Sequence, residues 1–292
     1  MFETWFLLAI FAALMYGTGQ TVLKSVLGNI SVARMIVINF IVSMPIYIFF
    51  LTSSTLILDI GQYGLIAIFI GIAAAFLGRA GYYTYMEALE SGPVTIVGSI
   101  TAAYPAIIAI LAITILGETI TMTQGIGIAI VIAGIVALSY SRRGSEADKS
   151  FTDRSKFFCV VTLALWGVWG LFVKIALDAM PTILYLGLYT FALPTVLFGY
   201  LGMKRIKIRD NLPMWSVPVI IAVISVMIAQ IGICADSTAV SLGPASIVFP
   251  LVAAYPIITI VEAQFFLKER LKIREMLIVL LVVLGIILVS TV

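Results

Sequence analysis

Ten runs of predominantly apolar residues follow one another along the chain, near 3 to 23, 32 to 52, 63 to 87, 93 to 116, 121 to 140, 157 to 177, 182 to 202, 214 to 240, 244 to 267 and 273 to 291. A helix needs about 20 such residues to cross the hydrocarbon of a bilayer, and a helix satisfies its own backbone there. The expected fold is therefore an all-α integral membrane protein with ten transmembrane helices. Composition agrees, since 62% of the 292 residues are apolar and 11% are charged, against about 25% charged in a soluble domain. Ten crossings leave no room for a separate soluble domain. A net charge of +3 without a basic block excludes nucleic acid as a partner.

The runs form two sets of five. Residues 1–140 make one, residues 157–292 the other, and the one long polar stretch, 141–156, links them. The sets are copies. Gly92-Pro93-Val94-Thr95-Ile96-Val97 is echoed by Gly243-Pro244-Ala245-Ser246-Ile247-Val248, and Ala102-Ala103-Tyr104-Pro105 by Ala253-Ala254-Tyr255-Pro256, both at an offset of 151 residues. The same offset joins Gly81 to Gly232, Ala88 to Ala239, Glu118 to Glu269 and Gly134 to Gly285. In the first run of each copy, Tyr16-Gly17 with Lys24 answers Trp166-Gly167 with Lys174 at an offset of 150. An odd number of helices per copy makes the second enter the membrane from the opposite side, so inverted repeats are expected. Transporters built this way hold substrate near the midplane between the repeats and expose it to each side in turn.

Several chemistries are excluded by what the chain lacks. There is no histidine, which removes the commonest general base and metal ligand. Cys159 and Cys234 lie inside apolar runs and match no metal or disulfide spacing, so they are expected as small core residues. No Walker-type phosphate loop occurs, so no cofactor and no direct use of ATP is expected.

A charge within a membrane helix costs at least about 2.5 to 3.5 kcal/mol at the centre, so each needs a partner or a water-filled space. By helix rise Glu87 shares one face with Lys24, and Asp236 shares the opposite face with Lys174. Both pairs read as structural salt bridges or as gating and proton-coupling groups. Arg79 and Glu262 have Gln230 and Leu111 as their repeat equivalents, so neither charge belongs to the duplicated scaffold. Both lie roughly 7 to 14 Å inside the basic face, where they are placed to meet between the third and ninth runs. They read either as a static ion pair or as a zwitterion receptor, with Arg79 taking a carboxylate and Glu262 an amine or a proton. In a chain without histidine, Glu262 is the best proton-coupling candidate.

Tyr104-Pro105 and Tyr255-Pro256 sit at mid-depth in matching runs. Proline permits a kink and tyrosine offers a ring face and a hydroxyl, so the two tyrosines are candidates for opposite walls of one cavity. Tyr82, Tyr83, Trp166 and Trp169 add aromatic surface for a cation or for packing. Glu118 and Glu269, in short turns, are expected to cap the helix that follows each.

The loops after runs 1, 3, 5, 7 and 9 hold fifteen Lys and Arg, and the other face holds one. That asymmetry puts the linker in the cytoplasm and both termini outside.

These elements resemble the EamA-type transporters of the drug/metabolite transporter superfamily. The resemblance rests on Trp166-Gly167 with Lys174, on Gly92-Pro93 and Gly243-Pro244, and on the turns Leu116-Gly117-Glu118 and Leu267-Lys268-Glu269-Arg270-Leu271. Tyr16 stands where the first copy usually has tryptophan, and Lys268 where glycine is usual. The resemblance implies a ten-helix carrier of small organic metabolites, often an exporter of amino acids, with a cavity walled by helices 1, 3, 4, 6, 8 and 9. It also implies both termini inside, against the charge asymmetry. The expected function is secondary active transport of an amino acid or related zwitterion across the cell membrane by alternating access, coupled to protons or another ion or run as exchange. Import of a quaternary amine and carriage of a lipid-like substrate are the alternatives. An intramembrane enzyme would need clustered carboxylates or a nucleophile with its base, and the chain has neither. No obligate protein partner is evident.

Overall fold

The computed structural model describes residues 3–26, 29–57, 60–91, 97, 100–141, 152–203, 213, 215–266 and 273–289. Gly92-Pro93, linker residues 142–151, Lys268, Glu269 and the side chain of Lys24 lie outside the described set. Among the described residues the chain forms α1 (Thr4–Lys24), α2 (Val32–Ile57), a 3-10 turn (Ile60–Gln62), α3 (Leu65–Ser91), α4 (Tyr104–Ile115), α5 (Met122–Ser141), α6 (Asp153–Ala179), α7 (Thr182–Met203), α8 (Val217–Leu242), α9 (Ala245–Val252), α10 (Tyr255–Phe266) and α11 (Ile273–Val289), and no strand. Among the described residues seven spans are long and apolar enough to cross a membrane, Ala245–Glu262 being counted through the break between α9 and α10. Three further apolar stretches, Tyr104–Ile115, Met122–Ala137 and Met276–Val289, are shorter. Phe49, Leu56, Phe69, Phe198, Phe265 and Leu277 point outward and exposed, as a surface solvated by lipid requires.

Local chemistry sets the helix ends. Thr152 caps α6 by accepting from the Ser155 amide at 3.1 Å. Pro181 opens α7, its carbonyl accepting from the amides of Leu184 and Tyr185. Gly117, at φ 70°, follows α4 in a left-handed conformation that suits glycine, and the Glu118 amide then bonds back to the Ala112 carbonyl.

The Tyr-Pro pairs do more than kink their helices. A turn at Ala253-Ala254 separates α9 from α10, and a matching turn at Ala102-Ala103 precedes α4. Pro256 and Pro105 have no amide to give, and each ring displaces the carbonyl four residues back. Those carbonyls belong to Val252, where α9 ends, and to Thr101, the last helical residue before its turn.

Packing crosses from one copy to the other. α3 lies along α6 and α8 along α1, α4 packs on α6 as α10 packs on α1, and α5 pairs with α11. The contacts are reciprocal down to single residues. The Trp166 ring sits on Gly81 and the Tyr16 ring on Gly232, Ile258 on Gly17 and Ile107 on Gly167, Val282 on Gly134 and Val131 on Gly285. At each of these glycines a Cβ would overlap its partner, so the missing side chain is what lets the helices close.

Candidate functional site

The same reciprocity builds two aromatic groups at mid-depth. In one, Trp166 of α6 lies 5.5 Å from the rings of both Tyr85 on α3 and Tyr104 on α4. In the other, Tyr16 of α1 lies 6.1 Å from the Tyr255 ring of α10, and its hydroxyl donates to Asp236 Oδ2 of α8 at 3.3 Å. Residue for residue these are equivalents, with Asp236 standing where the first copy has Tyr85. Tyr16, Tyr85, Tyr104, Tyr255 and Trp166 are only half-buried although they pack against the opposite copy. Every residue of α9, which follows α8, is buried.

Two charges flank these groups. Arg79 of α3 is 9% exposed and donates through Nη2 to the Tyr47 hydroxyl at 2.7 Å and through Nη1 to Asn39 Oδ1 at 3.2 Å, both on α2. Its guanidinium carbon lies 5.6 Å from the Tyr47 ring centre and 5.4 Å from that of Tyr189 on α7, and the two rings stack on each other. Its Nε makes no bond. No carboxylate pairs with it among the described residues, so aromatic faces and neutral oxygens alone stabilise the cation. Asp236 is 7% exposed, and its Oδ1 has no partner. The tyrosines connect the two charges: Tyr185 and Tyr189 share a 3.0 Å hydrogen bond, Trp169 Nε1 donates to Tyr189 at 3.4 Å, and Tyr185 lies within electrostatic reach of Asp236. Gln230, the repeat equivalent of Arg79, donates to Ser43 of α2 at 2.5 Å.

Two charge pairs expected from the sequence, Arg79 with Glu262 and Lys174 with Asp236, do not form. Glu262 accepts from Thr18 of α1 at 2.6 Å and does not meet Arg79, because α10 packs on α1 while α3 packs on α6 and α7. Glu87 binds Arg154 at 2.7 Å and accepts from Tyr200 at 2.7 Å, since α6 and α7 flank its end of α3; Lys24, its expected partner, has its side chain outside the described residues. Lys174 turns from Asp236 to Asp178, one helical turn along at 2.7 Å, and donates to the Val240 carbonyl at 3.2 Å. Tyr83 is buried against Ile36 and Leu197 and stacks on Tyr200 at 4.6 Å, with Tyr82 edge-on to it, apart from the Tyr16 and Trp166 groups.

Glu118 also differs from expectation. Its two oxygens accept from the amides of Ala245 and Ser246, each at 2.8 Å, so it caps α9 of the other copy. The following helix caps itself, through reciprocal bonds between Thr121 and Gln124. The left-handed turn at Gly117 carries Glu118 away from α5, and Pro244 at the start of α9 has no side-chain acceptor of its own. Asn39, Tyr47, Tyr185 and Tyr189 were invisible to sequence reasoning, because no motif or repeat echo marks them. Among the described residues no group of three or more His, Cys, Asp or Glu is arranged to hold a metal.

The model of the EamA-like transporter family matches residues 3–140 and again residues 154–291. The chain belongs to the EamA-like transporter family. That bears out the resemblance carried by Trp166-Gly167 and the two Gly-Pro pairs, and makes the chain a multi-pass membrane protein of a transporter family with a small-molecule substrate. An uncharacterized Methanocaldococcus jannaschii protein is 32% identical over 138 residues, which is 97% of its own length and 47% of this chain. Nearly the whole of that relative thus matches a stretch about the length of one copy here. A crystal structure described simply as that of a protein superposes with a TM-score of 0.78 over 99% of this chain and 98% of its own, at 14% identity, a likeness of fold alone.

Proposed function

We propose that this EamA-family chain carries a small zwitterion of the amino acid type across the cell membrane by alternating access between its two copies. The observation that carries the reading is the pair of buried groups Arg79 and Asp236, each without an ion-pair partner among the described residues and both bordering one set of tyrosines. A buried charge left so at membrane depth is costly unless a ligand or water meets it. A substrate carboxylate at Arg79 and its ammonium at Asp236 would neutralise both at once. Asp236 takes the amine-binding role that spacing had suggested for Glu262. Broken helices at Tyr104-Pro105 and Tyr255-Pro256 suit the moving parts, because discontinuous helices line the midplane sites of such carriers. A quaternary-amine carrier would use Asp236 and the aromatic rings but has no need of Arg79.

Counterflow in proteoliposomes separates these readings. A panel of amino acids and their decarboxylated amines is offered to wild type and Arg79→Gln. The zwitterion reading expects amino acid exchange in wild type and its loss in the variant, with amine binding retained. Exchange of amines alone by wild type would refute it. The cytoplasmic linker favoured by the basic loops is tested by a reporter fused at either terminus.

A further inference from the structure

The geometry points to Tyr189 as a lid over Arg79, keyed by Trp169 to the packing of α9, so that a carboxylate reaches the guanidinium only as α9 loosens. The lid presupposes the zwitterion reading above, in which Arg79 receives the carboxylate, and adds what admits it. Trp169 is then a positioning residue that acts on Arg79 through Tyr189.

As it stands the guanidinium is covered. Arg79 is buried, its Nη atoms donate to Tyr47 and Asn39, and the stacked rings of Tyr47 and Tyr189 lie against its carbon at 5.6 and 5.4 Å. Of the two rings Tyr189 is the one free to leave. Tyr47 is tied to the guanidinium by its own hydroxyl, at 2.7 Å. The Tyr189 hydroxyl points elsewhere, sharing a 3.0 Å bond with Tyr185 and accepting from Trp169 Nε1 at 3.4 Å. Uncovering the cation therefore means moving the Tyr189 ring, and moving that ring means parting it from Trp169.

Trp169 has little freedom to follow. One side of its indole rests on Gly78, the residue before Arg79, where a Cβ would come within 2.8 Å of Nε1. Its other contact is edge-to-face with the Phe249 ring, the centroids 5.4 Å apart. Phe249 belongs to α9, and the Glu118 carboxylate holds the amides of the first two residues of that helix, Ala245 and Ser246. The indole turns only if Phe249 yields, and Phe249, itself 1% exposed, yields only with α9. The first copy has no such key. By the repeat offsets Trp169 answers to Gly19 and Phe249 to Gly98, and a Cβ on Gly19 would press on the Ser225 carbonyl at 3.2 Å. The lid is thus tied to one helix of one copy.

The test is hydrogen exchange by mass spectrometry on the purified full chain in lipid nanodiscs, read at peptides covering 245–252 with no substrate present. Tyr189→Phe keeps the ring and loses the hydroxyl that orients Trp169. It should raise exchange in α9 about fivefold, the scale of one aromatic edge contact set loose. In a Trp169→Phe background the same change should add less than about twofold, because the connection is already cut. Should Trp169→Phe not fold, Phe249→Leu cuts the connection at its other end and the same silence is expected. Peptides covering 276–289 of α11, which packs on α5, should keep wild-type exchange throughout. Exchange in α9 unmoved by Tyr189→Phe overturns the lid, as does an equal rise in the Trp169→Phe background or a rise spread over α11. Failure of the zwitterion reading looks different, because amino acid counterflow would be absent while the non-additivity at α9 persisted.

Discussion

Removing the carboxylate of Glu118 should release the start of α9. Both amides it holds, at Ala245 and Ser246, belong to residues with no exposed surface, and the residue before them is a proline that cannot supply a cap. Each hydrogen bond to a charged acceptor contributes roughly 1.5 to 3 kcal/mol, and an N-cap is typically worth about 1 kcal/mol. Two 2.8 Å bonds to a half-buried carboxylate therefore total about 3 kcal/mol, below the simple sum because water reaches an opened helix end. That corresponds to roughly a hundredfold in the local opening equilibrium. Hydrogen exchange of peptides covering 243–252, read by mass spectrometry, measures the opening directly. Glu118→Ala should cut protection of the Ala245 and Ser246 amides about a hundredfold. Glu118→Gln, which keeps one acceptor oxygen and loses the charge, should fall between it and wild type. Protection in Glu118→Ala equal to wild type, in protein that still melts cooperatively, would refute the idea that this turn holds the start of α9 in place.

Three other substitutions probe the remainder of the framework. Gly81→Ala should destabilise by about 1 to 3 kcal/mol, because its methyl group falls in the Trp166 ring, and Trp166→Leu in the same chain should recover part of the lost melting temperature. Tyr47→Phe strips Arg79 Nη2 of its 2.7 Å partner and keeps the ring face; a loss of about 1 to 2 kcal/mol in thermal unfolding is expected, with weakened amino acid binding. Arg154→Ala should cost about 1 to 2 kcal/mol, less than a sealed ion pair because Arg154 is half exposed, and adding Glu87→Gln should restore part of it.

The helices were legible because a bilayer admits few alternatives: apolar runs at Leu65–Ser91 and Val217–Leu242 have little else to become. The duplication was legible through Tyr104-Pro105 and Tyr255-Pro256, and so were the breaks near them, although their sharpness depends on alanine pairs that spacing does not single out. The ion pairs were not legible. Helical rise gives depth but not facing, and facing decided that Glu262 meets Thr18 while Arg79 meets Tyr47. The partners of Arg79 come from α2 and α7, at positions whose residues are not repeated between the copies, so nothing marked them. Asp236 was more accessible: aligning the copies sets it against Tyr85 and sets Tyr16 against Trp166, and a lone acid among matched aromatics marks where the halves diverge.

That divergence depends on the copies sharing one polypeptide. A unit of five runs standing alone would need a second molecule to supply the ring that rests on Gly81 and the isoleucine that rests on Gly17, and two identical molecules would supply them equally. Such a dimer would present two carboxylates at the position of Asp236 or two phenols at that of Tyr85. Fusion frees each half to mutate by itself, so the second copy can carry an acid at the position where the first carries a phenol.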